Sequence, residues 1–499
     1  MAFNILYDAT LIGYVKNTSE RRGIFFVQIN ILKKLLNIPN VNIFLYYDPY
    51  LVKDNATFWQ SYKTIFSEEN NTPILVNENY SILKQEEIHA ILNTWLWIPE
   101  YLKNLNIKKY MFLYDCMPLM CPTYQYFLTK GDWFRNIIDN INSNDYYFFD
   151  STNTSIDFMK FYPCIQKDQT KIVPLAASNI FEANKNIQLK RSLLHKYNIK
   201  TPKYIFALCS LEPRKNILNN IKAFVKFINK NNITDISYVL GGDKWGDFYK
   251  TIDKEIENLK DYKKYIITCG YVPDEDLPLL FSNAEWSVYT SLFEGFGLPA
   301  LEAMQCGCPI ISSNTTSLPE VIGKAGILIN PYSLEDHVKA YEKFYFDNAY
   351  RNEMSKKALE RAKNFSWEKT TYEIVKFMKK NYNNKEFAPV EEIHSNLQIN
   401  TSNNTYTNNN QINYIFNYIF LNFISILKIN ISTEKRKYTI LGFIPLYSYK
   451  QIGGRKVWKI LGLPIFKIRK INNTNIQKYY IFNCPILKIT KDNKGVNHV

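Results

Sequence analysis

Up to Tyr382 the chain alternates two rhythms of apolar positions. Short, mostly apolar runs at Phe3–Tyr7, Val41–Tyr47, Tyr110–Tyr114, Tyr146–Phe149 and Lys171–Pro174 read as strands. Between the first two, Ile24, Val27, Ile31, Leu32 and Leu35 fall on one stripe and predict a helix over Ile24–Leu36. The pattern restarts near Tyr204. Strands are expected at Ile205–Cys209, Ser237–Gly241, Tyr265–Cys269, Trp286–Thr290 and Pro309–Ser312, with helices at Asn216–Ile228, Asp276–Asn283 and Pro299–Gln305. Strands alternating with helices predict parallel sheets covered on both faces. Two such series in succession predict an α/β chain of two Rossmann-like doubly wound domains facing a cleft, residues 1–190 and 200–382. The boundary is expected in the polar, lysine-rich Asn184–Thr201, and the last helix, 366–382, is expected to pack back towards the first domain.

Beyond Tyr382 the rhythm is lost. Asn396–Asn410 is mostly Asn and Thr and has too little apolar surface to order itself, so 383–411 reads as a linker. Within the tail, 412–499, three stretches repeat at a spacing of about twenty residues: Tyr438–Lys450, Trp458–Lys470 and Tyr479–Lys491. Each has an aromatic, an apolar pair, Gly or Asn, Pro, a second apolar pair and Lys, which predicts small hairpins or kinked strands. Ahead of them, Ile412, Ile415, Phe416, Ile419, Phe423 and Leu427 share one helical stripe.

Charge separates body from tail. The formal net charge of the 499 residues is +15, yet Lys428–Val499 holds 15 Lys and Arg against 2 Asp and Glu and so carries +13 of it. The eight cysteines are scattered, and Cys306 and Cys308 are too close for a CxxC redox or zinc motif. Thiols of a reducing compartment are expected. No basic region followed by an apolar stretch opens the chain, and no clean apolar span has bilayer length, so a cytoplasmic protein is expected.

The chemistry centres on Ser291–Glu302, S-L-F-E-G-F-G-L-P-A-L-E. Gly295 and Gly297 allow close backbone approach, Pro299 suits the first turn of a helix, and Gly307 suits its C-terminal cap. A helix start delivered by a glycine loop attracts phosphate. Glu294 and Glu302 beside such a site make sense if they bind hydroxyls, as of a ribose and a hexose. Arg214 and Lys215, in Ser210–Asn216 after a strand, would sit where open α/β sheets bind ligands. There they would stabilise a departing diphosphate without a metal. Asp274-Glu-Asp276 has D-x-D spacing, but its place before a helix favours N-capping over metal binding. His89, His195, His337, His394 and His498 stand apart and are expected to be structural.

These residues resemble the donor domain of the retaining GT-B glycosyltransferases of family 4, over Ile205 to about Tyr382. The resemblance is carried by the E-x7-E pair Glu294 and Glu302, by E-A-M-Q-C-G-C-P at Glu302–Pro309 and by S-L-P-E-V-I-G at Ser317–Gly323. Arg214-Lys-Asn216 and G-Y-V-P-D-E-D-L at Gly270–Leu277 add to it. It implies that Glu302 binds the donor ribose, Glu294 the sugar hydroxyls, and Arg214 and Lys215 the diphosphate. It further implies that the backbone near Val272 meets the base and that the Phe296–Leu298 amides face phosphate or sugar. Gly241 and Gly242 are expected to line the pocket. In the first half, Asp8 and Arg21-Arg-Gly23-Ile24 resemble the family's glycine-containing first loop. Leu113-Tyr-Asp-Cys-Met-Pro118 resembles its H-D-x-x-P segment, with Asp115 retained and Tyr114 in place of His. Ser151-Thr152 falls where the family has a Ser. A solvated loop and a phosphate contact both remain open for Arg21 and Arg22.

The reaction so implied is retaining hexosyl transfer from a nucleotide-diphospho-sugar, GDP-mannose or a UDP-sugar, to a hydroxyl of a glycan or lipid-linked acceptor in surface polysaccharide assembly. It needs no metal and no cofactor. The basic tail is expected at an anionic membrane surface, and nucleic acid is not expected as a partner. A nucleotide-sugar isomerase and a non-catalytic scaffold are the alternatives. The sparse histidines oppose the first, and the intact Glu294, Glu302, Arg214 and Lys215 oppose the second.

Overall fold

The computed structural model describes residues 2–15, 23–67, 73–94, 98–121, 124, 133–244 and 246–382, and strands between 439 and 498. The linker 383–411 and the stripe 412–427 lie outside the described residues, as do Arg21 and Arg22.

Two parallel sheets carry the body. The first contains β1 (Phe3–Asp8), β2 (Val41–Tyr46), β3 (Ile74–Leu75), β4 (Ala90–Asn93), β5 (Lys108–Leu113), β6 (Tyr146–Phe149) and β7 (Thr170–Ile172), in the order β3-β2-β1-β4-β5-β6-β7. The second contains β8 (Lys203–Leu208), β9 (Ile236–Gly241), β10 (Ile266–Gly270), β11 (Trp286–Tyr289), β12 (Ile310–Ser313) and β13 (Ile327–Ile329), in the order β10-β9-β8-β11-β12-β13. In each sheet the order reverses beside the first strand, which opens a crevice at the carboxyl ends of the strands. The apolar runs are long because their strands are covered on both faces; every residue of β1 is buried. The patterning missed β3, β4 and β13, which are two to four residues long. Runs that short have no readable period.

The halves share one contiguous apolar core reaching from Phe3 to Met378. Its cross-piece is the helix Trp367–Tyr382, which returns to the first sheet. The Phe377 ring lies 5.6 Å from Phe148, and Tyr382 meets Phe3 edge-on at 5.8 Å. Trp367, Ile374, Val375 and Met378 are buried. At roughly 1.5–3 kcal/mol for each large apolar side chain, this contact fixes how the two crevices face. Lys34–Glu368 (2.6 Å) and Lys171–Glu373 (2.7 Å) flank it. No helix among the described residues is long and apolar enough to cross a membrane.

Residues 394–499 form a second compact unit. Its described strands include β14 (Arg455–Ile460), β15 (Leu463–Lys470), β16 (Ile476–Ile481) and β17 (Cys484–Lys491), antiparallel neighbours in that order. Ile460 pairs with Leu463 and Ile481 with Cys484, pairings that fall inside the second and third repeats.

Candidate active site

The loop after β11 and the turn after β8 meet at the carboxyl edge of the second sheet. After β8 the chain makes one 3-10 turn, Pro213–Lys215; Asn216 then takes a left-handed conformation (φ 59°) and the helix Ile217–Lys230 begins. Asn216 is fixed there by its amide, which donates to the carbonyls of Thr290 (3.1 Å) and Pro331 (2.7 Å). The turn directs Arg214 and Lys215 at Glu294. Arg214 Nη1 lies 2.8 Å from Glu294 Oε2, and Lys215 Nζ lies 2.6 Å from Oε1. Lys215 also donates to the Tyr289 hydroxyl (2.8 Å), which donates to Glu294 Oε1 (2.9 Å). Arg214 Nη2 reaches a second buried carboxylate, Glu212 Oε1, at 3.0 Å. Two cations and two carboxylates therefore balance.

Three of these residues are the expected ones, but their pairing was not. The expectation gave Glu294 to sugar and Arg214 and Lys215 to phosphate. In the structure they satisfy one another, because an uncompensated charge buried this deeply costs several kcal/mol. Burial alone would raise the Glu294 carboxyl, but Arg214 and Lys215 outweigh it and hold it at about 2. The loop itself is braced from β12: Thr316 Oγ1 accepts from the Glu294 amide (3.2 Å), and Ser317 Oγ donates to the carbonyls of Glu294 (3.0 Å) and Phe296 (3.1 Å).

Glu302 is placed differently. It sits in the second turn of the helix Leu298–Gln305, half-buried, with no side-chain hydrogen bond or ion pair among the described residues. Burial, and then the nearby Asp274, push its carboxyl up to about 8. A carboxyl without a partner at a crevice is ready to meet a hydroxyl.

The glycines divide by cause. Gly297 (φ 101°) is the N-cap of the helix and needs its left-handed backbone; Gly307 (φ 70°) follows the other end. Gly295 was expected to admit a ligand. Its close approach is instead to protein, since a Cβ there would lie 1.7 Å from the Tyr114 carbonyl oxygen. Gly241 and Gly242 are likewise explained by packing. A Cβ on Gly242 (φ 140°) would strike the Cys209 carbonyl at 1.7 Å, and one on Gly241 would press on Val272 at 2.9 Å. The Val272 and Phe296 side chains are buried. Leu298 comes within 3.8 Å of where a Cβ on Gly23 would stand, so the start of the helix Gly23–Leu35 lies beside the helix Leu298–Gln305. Asp276 occupies the N-cap position of the helix Leu277–Asn283 without capping it; its carboxylate takes Lys196 and Tyr197 instead.

From the first half, Asp115 follows β5 and its Oδ1 accepts from the Met117 amide (2.9 Å). Burial pushes its carboxyl up, against the pull of Arg214. Tyr114 donates to the Thr94 carbonyl (2.7 Å) and stacks on Phe112 at 4.7 Å, a packing role that leaves no free hydroxyl. Ser151 caps the helix Thr152–Phe161, and the Thr152 and Asn153 amides donate to Glu320 Oε2 and Oε1 at 2.9 and 3.0 Å. Glu320 belongs to the other half, in the S-L-P-E segment. His89 and His337 are buried and hydrogen-bonded, to the Asn4 amide and to Ser333 and Thr290. Sequence reasoning missed Glu212, Tyr289, Tyr124 and Glu320. Glu212 and Tyr289 lie inside motifs already marked, but Tyr124 has no local signal. Among the described residues no cluster of three or more His, Cys, Asp or Glu could hold a metal.

Residues 190–361 match the family model described as Glycosyl transferases group 1. The Escherichia coli O-antigen chain mannosyltransferase B is 36% identical over 183 residues, which cover 37% of this chain and 47% of that protein. The Bacillus subtilis poly(glycerol-phosphate) alpha-glucosyltransferase is 24% identical over 339 residues, 64% of this chain and 48% of that one. The chain thus spans about half the length of these curated relatives. Among solved structures, Anabaena HepE in complex with UDP and glucose superposes with a TM-score of 0.57 at 15% identity, over 76% of this chain and 100% of that one. WaaG, a glycosyltransferase of lipopolysaccharide biosynthesis, gives 0.54 at 14%, over 75% and 99%. The fold is GT-B.

Proposed function

With residues 190–361 a glycosyl transferases group 1 domain, we propose that the chain transfers a hexosyl group, with retention, from a nucleotide-diphospho-sugar to a hydroxyl of a glycan or lipid-linked acceptor. The observation that carries this is the neutral cluster of Arg214, Lys215, Glu294 and Glu212 at the crevice, followed by Glu302, one turn inside the helix Leu298–Gln305 and unpartnered among the described residues. Glu294 holds the place of the ligand's charge. A diphosphate arriving at Arg214 and Lys215 supplies the negative charge that Glu294 supplies in its absence. Glu294 is then free to accept from sugar hydroxyls, while Glu302 accepts from the ribose. As the bond from sugar to phosphate breaks, charge grows on the leaving diphosphate, where the two cations stabilise it. The acceptor attacks on the same face, and the leaving phosphate takes its proton. Asp115, held towards Arg214 from the other half, orients the acceptor side. The reaction uses no metal.

The resemblance to an O-antigen mannosyltransferase favours GDP-mannose, with UDP-sugars as the alternative. The test is a screen of GDP- and UDP-sugars with lipid-linked and free glycan acceptors, the product linkage being read by NMR. A retained linkage and released nucleoside diphosphate are expected; an inverted linkage overturns the mechanism. Activity in EDTA is expected to equal that without it.

The tail is proposed to meet an anionic membrane surface. Between Glu434 and Asp492 there is no acidic residue. Arg455, Arg469, Lys478 and Lys488 are successive Cα partners across four strands. Like charges at facing positions disfavour a sheet unless an external anion compensates. Flotation of the full chain with vesicles of phosphatidylcholine, with and without phosphatidylglycerol, tests it. Binding only to the anionic vesicles is expected, and its loss as salt rises.

A further inference from the structure

Glu212 is a buried carboxylate that the transfer mechanism does not use. Its Oε1 accepts from the Ser210 hydroxyl (2.6 Å) and faces Arg214 Nη2 (3.0 Å). Its Oε2 accepts from the Tyr124 hydroxyl at 3.1 Å. The same Tyr124 oxygen accepts from the Arg214 backbone amide at 3.3 Å. Tyr124 belongs to the first half of the body and Glu212 and Arg214 to the second. One tyrosine hydroxyl therefore bridges the cleft to the residue that holds the phosphate-binding arginine.

The two carboxylates do different work on Arg214. Glu294 and the Phe293 carbonyl take Nη1, at 2.8 and 3.0 Å, and Glu212 takes Nη2. If Glu294 turns to the sugar when donor binds, Glu212 is the remaining anion that fixes the plane of the guanidinium. A guanidinium held at one end can rotate, and misplacement by about 1 Å at a transferring group costs roughly a hundredfold in rate. Glu212 in turn keeps its full set of hydrogen bonds only while Tyr124 is beside it. Opening the cleft removes that donor and leaves a buried carboxylate oxygen unpaired, which is unfavourable. Arg214 is thus best aligned when the halves are together.

We propose that Glu212 is a positioning residue for Arg214, and that Tyr124 couples that positioning to closure of the cleft. The proposal rests on the transferase reading above. Its test uses the full chain and four proteins: unmodified, Glu212→Gln, Tyr124→Phe and the double variant. Each is assayed for transfer from whichever of GDP-mannose, UDP-glucose or UDP-galactose the unmodified chain uses. Glu212→Gln keeps shape and is expected to lower kcat by roughly 10- to 100-fold, with donor KM changed by less than about threefold. Tyr124→Phe removes only a hydroxyl and is expected to lower kcat by about 3- to 10-fold. The double variant is expected to match Glu212→Gln alone, because the two act through one contact. Multiplicative losses, a loss confined to KM, or an unchanged kcat with only a lowered Tm would each overturn the proposal. If the unmodified chain transfers from none of the donors and no nucleoside diphosphate raises its Tm, the transferase reading fails instead.

Discussion

The two sheets of the body have the same architecture and opposite electrostatics at their working edges. At the carboxyl edge of the second sheet, Glu294 and Glu212 are matched by Arg214 and Lys215, and Glu294 stays ionised down to about pH 2. At the same edge of the first sheet lie Asp8, Asp48, Asp115 and Asp150, and Asp115 feels the charge of Arg214 from across the cleft. Burial pushes the Asp8 carboxyl up to about 7 and raises that of Asp150 well above its usual value; among the described residues Asp150 Oδ1 has no hydrogen-bond partner. One edge is charge-balanced, and under the proposed function a bound diphosphate takes the place of its internal anion. The other gathers buried acids, and burial pushes the carboxyls of Asp8, Asp115 and Asp150 up. The contrast fits a donor carrying two phosphates on one side and a sugar acceptor on the other.

The largest test of that contrast is Glu294→Gln. It strips one anion from the balanced edge, so about 3–5 kcal/mol of stability should be lost above pH 5, read by urea denaturation. Turnover should fall by roughly 10²–10³-fold. The sign follows from the depressed carboxyl: its contribution is full above the unfolded value of 4.5 and fades as pH falls through about 2. The gap between parent and variant should therefore narrow in strong acid. Next, Arg214→Met and Lys215→Met should each weaken GDP or UDP binding by at least about tenfold in calorimetry, whereas Asp115→Asn should leave nucleotide binding intact. Equal effects at both edges would erase the distinction between them.

Glu302→Gln gives a smaller effect of opposite sign. A carboxyl raised to about 8 favours its protonated form in the folded state, so it destabilises the free protein as pH rises from 4.5 through 8. The amide should raise Tm by roughly a few degrees at pH 9, with little change at pH 5, and should weaken nucleotide binding at both. The smallest effect is expected for Tyr114→Phe. It deletes one hydrogen bond to the Thr94 carbonyl, about 1 kcal/mol, and should leave turnover within about threefold. A large loss of turnover would move Tyr114 from packing into the chemistry.

Much of the donor side was legible in order along the chain. Gly297 and Pro299 mark a helix start, and Glu294 and Glu302 flank it, all within twelve residues. Arg214 and Lys215 were found because they follow a strand. The contacts between the halves were less legible: Tyr124 has no pattern around it, and Glu320 lies in the S-L-P-E motif, which does not say that its carboxylate acts across the cleft. Glu320 caps a helix 168 residues away in the chain.

The sequence by itself determined which elements form and which residues carry charge at the sheet edges, because both depend on neighbours a few positions apart. It determined that a glycine loop opens a helix beside two carboxylates. Only the tertiary structure decided that Gly295 makes room for the Tyr114 carbonyl rather than for a ligand. Only the tertiary structure decided that Glu294 is paired while Glu302 has no hydrogen-bond or ion-pair partner among the described residues. Both glutamates lie in the same short motif. Their protonation differs because buried charge is governed by what stands within a few ångströms, and for Glu294 that is a turn 80 residues earlier in the chain.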